Sequence, residues 1–114
     1  CPVEIETIAP DILEHATLTV RHGQEAAFEA AMREALPLIA ATDGFEGLEI
    51  RPCLDRTSLY LLLVRWRTLE DHTVGFRQSD RYPRWRSLLH HFYDPFPDVL
   101  HFGPPVASAS ARST

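Results

Sequence analysis

Apolar positions recur with two different periods along the chain, and the switches between them mark the elements. Residues 12–20, ILEHATLTV, are rich in Thr and Val and stop at Arg21-His22-Gly23, which predicts a strand. From Gln24 to Ala41, Phe28, Met32, Ala35, Leu36 and Ile39 fall on one helical stripe. Pro37 lies inside that span and is expected to kink the helix or end its regular part, and Asp43-Gly44 closes it. Phe45 to Leu54 alternates, with Leu48, Ile50 and Leu54 on one face and Glu49 and Arg51 on the other. After a turn at Asp55-Arg56-Thr57, the run Leu59 to Arg67 is apolar on both faces. Thr68 opens a second helix with acids in its first turn and a carboxylate at the capping-box position. That helix is expected to break near Gly75 and restart at Ser79-Asp80 with Pro83 in its first turn. It runs to about Tyr93, where Asp94-Pro95-Phe96-Pro97 stops it, and Asp98 to Phe102 forms a last short strand. Residues 1–11 have no period and are expected to be an arm, and residues 103–114 a disordered tail.

The order β-α-β-β-α-β predicts an α+β, ferredoxin-like domain over residues 12–102: a four-stranded antiparallel sheet with two helices on one face. The third strand adds a requirement. Leu59, Leu61 and Leu63 face one way and Tyr60, Leu62, Val64 and Trp66 the other, whereas one helical layer covers a single face. A second copy of the chain is the simplest cover, so a homodimer through the sheet faces is expected. Sequence leaves open which face meets the partner.

Composition narrows the function classes. The 114 residues make one domain, with 45% apolar and 24% charged residues. The longest unbroken apolar run, Leu59 to Val64, is far short of the ~20 residues of a membrane helix, so no membrane span is expected. A net charge of −5 without a basic cluster removes the electrostatic footprint of a nucleic-acid or anionic-membrane binder. The basic residues are all arginine, which excludes Schiff-base chemistry through lysine. Cys1 and Cys53 form neither a disulfide framework nor a CxxC motif, and a reducing cytoplasm is the expected compartment. Because the chain opens on Cys1 rather than Met, a trimmed or engineered start is expected, with a lipidated mature N-terminus as the alternative.

Six side chains invite chemistry. At 100° per residue from Tyr82, Trp85, Leu89 and Phe92 share an arc with Tyr82, Arg86 and Tyr93. Arg86 then projects into an aromatic surface, holding a substrate oxygen or pairing with a strand carboxylate. His72 shares a face with Leu69 and Phe76, so it points at the sheet as a base or as a hydrogen-bonded core histidine. His15 lies beside Thr17 and Thr19 on one face of the first strand, lining a pocket or bonding across an interface. Trp66, at the end of the third strand, walls a cavity or fills the core. His90 sits at the edge of the inward arc; His91 points ~100° away, so the pair is not expected to share a metal ion. The chain carries no P-loop, no GxGxxG and no Ser-His-Asp signature.

Taken as a set, ILEHATLTVRHGQEAAF, the Gly44-Phe45 step, VRWRTLEDH and the following SDRYPRW resemble the antibiotic biosynthesis monooxygenase family over residues 12–102. The resemblance implies a dimeric α+β barrel in which two ferredoxin-like protomers pack their sheets face to face. It also implies a pocket between sheet and helices where anthrone- or quinol-type aromatics are oxidised by dioxygen without metal, flavin or haem. By the same resemblance Trp66 and His72 match the family's strand-end Trp and helix His. Arg81 stands where many members have a second histidine, and a few residues are inserted around Gly75-Phe76. At the places where the haem-degrading branch has its Asn, Trp and axial His, this chain has His15, Gly75 and Trp85, which argues against haem degradation. The leading expectation is therefore a cofactor-independent monooxygenase for a flat hydroxylated aromatic. Trp66, Tyr82 and Phe92 form the walls with His90 beside them, Arg86 holds an oxygen, and His72 or His15 acts as base. A non-catalytic binding or stress-related module, or an isomerase of the same superfamily, is the alternative.

Overall fold

The computed structural model describes residues 12–109, so the arm at 1–11 with Cys1, and the tail's last residues 110–114, lie outside the described residues. Four strands, β1 (Ile12–Thr19), β2 (Phe45–Pro52), β3 (Leu59–Trp66) and β4 (Val99–Phe102), pair antiparallel in the order β2-β3-β1-β4. Two helices, α1 (Glu25–Ala40) and α2 (Tyr82–Leu89), pack on one face, with a π-helical segment (Asp71–Phe76) ahead of α2 and a 3₁₀ turn (His90–Phe92) behind it. This is the ferredoxin-like α+β fold that the sequence predicts. Among the described residues no helix is long and apolar enough to cross a membrane.

Helix α1 buries Phe28, Met32, Ala35 and Ile39, the predicted stripe. Contrary to expectation, it runs on through Pro37 to Ala40. The ring removes only one backbone bond, and Ala35 and Ile39, buried on either side of it, hold both halves against the sheet. Gly44 then turns the chain into β2 at φ +87°, where a side chain would also strike the Asp71 carboxylate.

That carboxylate has its own task. The backbone N–H of Asp71 donates to Thr68 Oγ1 (3.2 Å) and the N–H of Thr68 donates to Asp71 Oδ2 (3.1 Å), the reciprocal capping box expected at this point. The expected break near Gly75 takes the form of the π-helical segment, whose wider turn accommodates an extra residue. Strand β2 ends at Pro52, and Leu54 lies 97% exposed in the turn rather than on the strand face. The chain reverses there, with Cys53 N donating to Leu59 O.

The structure answers which face of β3 the helices cover. Tyr60, Leu62, Val64 and Trp66 are buried beneath them, while Leu59, Leu61 and Leu63 lie half-buried on the helix-free face. Leu100 and Phe102 of β4 join those leucines there, 53% and 47% exposed.

Candidate active site

Strand β1 alternates so that Glu14, Ala16 and Leu18 point toward the helices, which places one carboxylate in an otherwise apolar row. Pairing brings its partners. Glu14 stands directly opposite His101 of β4 and opposite Val64 of β3, two residues before Trp66. The Trp66 indole donates to Glu14 Oε1 (2.9 Å), and His72 Nε2, from the π-helical segment, approaches the same oxygen at 3.3 Å. The His72 ring stacks on Trp66 with centroids 5.2 Å apart and planes 17° apart. Its other nitrogen, Nδ1, lies 2.7 Å from His101 Nε2. Glu14 and His72 are only 5% and 3% exposed, so this is a buried polar cluster built from three strands and a helix.

Burial sets the protonation of both. It raises the Glu14 carboxyl above its ordinary range, against the opposing pull of the Trp66 hydrogen bond and the Arg77 charge. It lowers His72 to about 3, with the Arg77 and His101 charges acting in the same direction, so the imidazole is neutral. Among the described residues no hydrogen bond reaches Glu14 Oε2.

Both residues line a cavity of about 80 Å³ between the sheet and the second helical region. Phe76, Tyr82, Trp85, His90, Tyr93 and Phe96 supply an aromatic wall around it, and Arg77 lies at its margin. Arg77 is exposed; its backbone N–H donates to His72 O (3.1 Å), while its guanidinium makes no ion pair or hydrogen bond among the described residues and is available to an anion. His90 is lowered by burial first and then by the Arg86 and Arg77 charges. The Tyr93 hydroxyl is raised, by burial and then by the Glu14 and Tyr82 charges.

Of the residues singled out from sequence, His72, Tyr82 and His90 line this cavity. The others stand elsewhere. Trp66 lies behind His72, fully buried, where it orients Glu14 instead of walling the cavity. Phe92 packs into the core on Phe28, with ring centroids 5.8 Å apart, because the helix tightens into a 3₁₀ turn at His90 and shifts its phase. Tyr93 takes the place on the wall. Arg86 is exposed: Trp85 and Leu89 centre the buried side of α2, and Arg86 falls at its flank. His15 points to the helix-free face between Leu63 and Leu100, on the far side of the sheet from His72. Arg81 ties the start of α2 to Thr42 Oγ1 (3.1 Å), and His91 is exposed.

Glu14, Arg77 and His101 were missed by the sequence reading. The available signal was phase: Glu14 alternates with Ala16 and Leu18, and His101 with Val99, so both stand in the inward set of their strands.

Comparison with known proteins agrees with this fold. The family model described as antibiotic biosynthesis monooxygenase matches residues 11–88. The uncharacterized protein YczJ of Bacillus subtilis is 48% identical over 91 residues, which cover 80% of this chain and 96% of that protein. A solved structure of a candidate antibiotic biosynthesis monooxygenase from Bordetella bronchiseptica superposes with TM-score 0.79 at 33% identity, over 84% of this chain and 98% of that one. A Streptomyces coelicolor monooxygenase in complex with nanaomycin D shares the fold at TM-score 0.73 and 17% identity, over 88% and 92% of the two chains. The chain belongs to the antibiotic biosynthesis monooxygenase family.

Proposed function

We propose that the protein is a cofactor-independent monooxygenase that oxidises a hydroxylated, anthrone- or quinol-like aromatic with dioxygen. The observation that carries this reading is the buried Glu14–His72 pair opening onto an aromatic-lined cavity. Glu14 Oε2 takes a proton from the substrate, leaving an electron-rich anion that itself reduces dioxygen. For a methylene substrate the balance is CH₂ + O₂ → C=O + H₂O. Proton loss gives the carbanion, addition of dioxygen gives the peroxide, return of a proton gives the hydroperoxide, and loss of water leaves the carbonyl. The substrate is the reductant, so the protein's part is a base, a low-dielectric cavity and a cation for the developing oxyanion. Arg77 supplies that cation in place of Arg86. Glu14 replaces His72 as the base, because an imidazole lowered to about 3 is a poor proton acceptor.

We further propose that the helix-free sheet face, carrying Leu61, Leu63, Leu100 and Phe102, is covered by a second copy of the chain, with His15 near the middle of the interface. The expected setting is a reducing cytoplasm, which keeps Cys53 a thiol.

The test is oxygen uptake against a panel of anthrones and quinols. Uptake by the wild type that falls at least about a hundredfold in Glu14→Gln supports the assignment. Uptake unchanged in that variant, or none across the panel, removes it. The same acid–base pair also suits a proton-transfer isomerisation, which turns substrate over without consuming oxygen.

A further inference from the structure

The polar cluster does not end at the cavity. Glu14 and His72 belong to its wall, whereas His101 does not line it: it stands half-buried on β4, an edge strand of the sheet. His72 touches both, with Nε2 at 3.3 Å from Glu14 Oε1 and Nδ1 at 2.7 Å from His101 Nε2. The far nitrogen of His101, Nδ1, has no partner among the described residues. A continuous line of exchangeable positions therefore leads from a carboxyl group facing the cavity to the rim of the sheet.

We propose that Glu14, His72 and His101 form a proton wire that carries the substrate's proton out of the closed cavity and returns it later in the turnover; this rests on the function proposed above. In the outward step the substrate's bond to hydrogen breaks and a Glu14 O–H bond forms. A half-turn of the protonated carboxyl brings that O–H to the side of His72, an oxygen facing Trp66 Nε1 before and after. Its proton then passes to His72 Nε2 as the one on His72 Nδ1 passes to His101 Nε2 and the one on His101 Nδ1 leaves to water, so no imidazolium forms. Glu14 is again a carboxylate, one proton has left, and the wire has reversed its polarity. The peroxide that forms next needs one proton. Supplying it through the same three groups in reverse restores the first polarity, so the wire resets within each turnover.

The surroundings hold the wire in place. Trp66 Nε1–H donates but does not accept, so it orients the carboxyl without draining the proton. Stacking on Trp66 keeps the His72 ring from turning away from either neighbour. The other charge facing the cluster is Arg77, which disfavours a positive charge on His72 and His101 alike. Transfer through neutral rings, with no imidazolium resting on the path, is what that field favours.

The test has two readouts. In nitrogen-15 NMR of histidine-labelled protein, His72 is expected as a neutral ring whose tautomer is biased by its two partners, and His101→Phe is expected to shift that balance. In turnover, His101→Phe is expected to lower kcat by roughly tenfold or more with KM little changed, and added imidazole to restore part of the loss. His101→Phe turning over like the wild type, while Glu14→Gln is inactive, overturns the wire and leaves the proposed function standing. Should the wild type turn over nothing, that function falls and the NMR decides alone: a His72 tautomer that ignores His101→Phe overturns the wire.

Discussion

His72→Phe isolates the energetic consequence of burying a histidine beside a carboxylate. In the folded chain His72 sits at about 3 against 6.5 for an unburied histidine, so the unfolded state binds a proton first as pH falls. Its contribution is fully present above pH 6.5 and is lost on acidification, at up to about 1.4 kcal/mol per pH unit. Between pH 6.5 and pH 4.5, still above the folded value, the loss reaches roughly 2.7 kcal/mol at most. Glu14 works the other way: its carboxyl is raised above 4.5, so its contribution grows as pH falls toward that value. The wild-type curve carries the difference, together with the lowered His90 and His101. Phenylalanine keeps an aromatic ring against Trp66 but cannot charge, so subtracting the two curves leaves mainly the His72 part. Urea unfolding at half-unit steps from pH 7.5 to 4.5 measures it. The variant is expected to be the less stable protein at pH 7.5, where Glu14 has lost a neighbour, and to lose distinctly less on acidification. Parallel curves refute a neutral, buried His72.

Two further substitutions test the fold and its assembly. Leu63→Arg places a charge on the helix-free face opposite His15, and is expected to give monomers at micromolar concentration by sedimentation, with circular dichroism unchanged. Leu59, Leu61 and Leu63 left in water forgo on the order of 5 kcal/mol of burial, so a wild type that is itself monomeric sinks the dimer. Gly44→Ala forces a side chain into a left-handed conformation and against the Asp71 carboxylate, and is expected to cost at least about 1–2 kcal/mol by denaturant unfolding. A cost near zero shows that the Thr68–Asp71 cap tolerates displacement.

Which parts were legible follows from the range of the interactions involved. Periods of two and of about 3.6 are local, and they placed all four strands and both helices, including the capping box at Thr68. The doubly apolar β3 showed that the helices cover one of its two rows, and the structure supplies which: Tyr60, Leu62, Val64 and Trp66. Phe92 departs from expectation for a local reason: a helical wheel extended past His90 assumes a regular helix, and the 3₁₀ turn there swings Phe92 into the core and Tyr93 onto the cavity wall, while Arg86 falls on the exposed flank of the regular helix before it. Glu14 and His101 failed for a distant one. They lie 87 positions apart, from 14 to 101, and meet only because β1 and β4 pair in a particular register. A period reveals that each points inward. It does not reveal that they point at the same histidine.

The cavity itself separates what must stay fixed from what must move. At about 80 Å³ it holds a few waters, well below the roughly 300 Å³ at which small-molecule pockets begin. A fused aromatic therefore enters only if part of the wall yields. The wall that carries Glu14 is held by strand pairing and by the Trp66 hydrogen bond, and shifting it breaks buried polar contacts. The stretch Pro95–Pro97 is held differently. Asp94 N is bonded to Thr19 O before it and Val99 pairs with Ala16 after it, but between these anchors no backbone bond ties it down among the described residues. Phe96 lies in the middle, 62% exposed, and lines both the cavity and the groove beside His15 on the outer face. Turning that one ring away from Glu14 would widen the cavity while Glu14, His72 and His101 keep their distances. On the function proposed above, admission of the substrate and transfer of its proton fall to different segments, and the segment without backbone bonds is not the one that must hold a hydrogen bond.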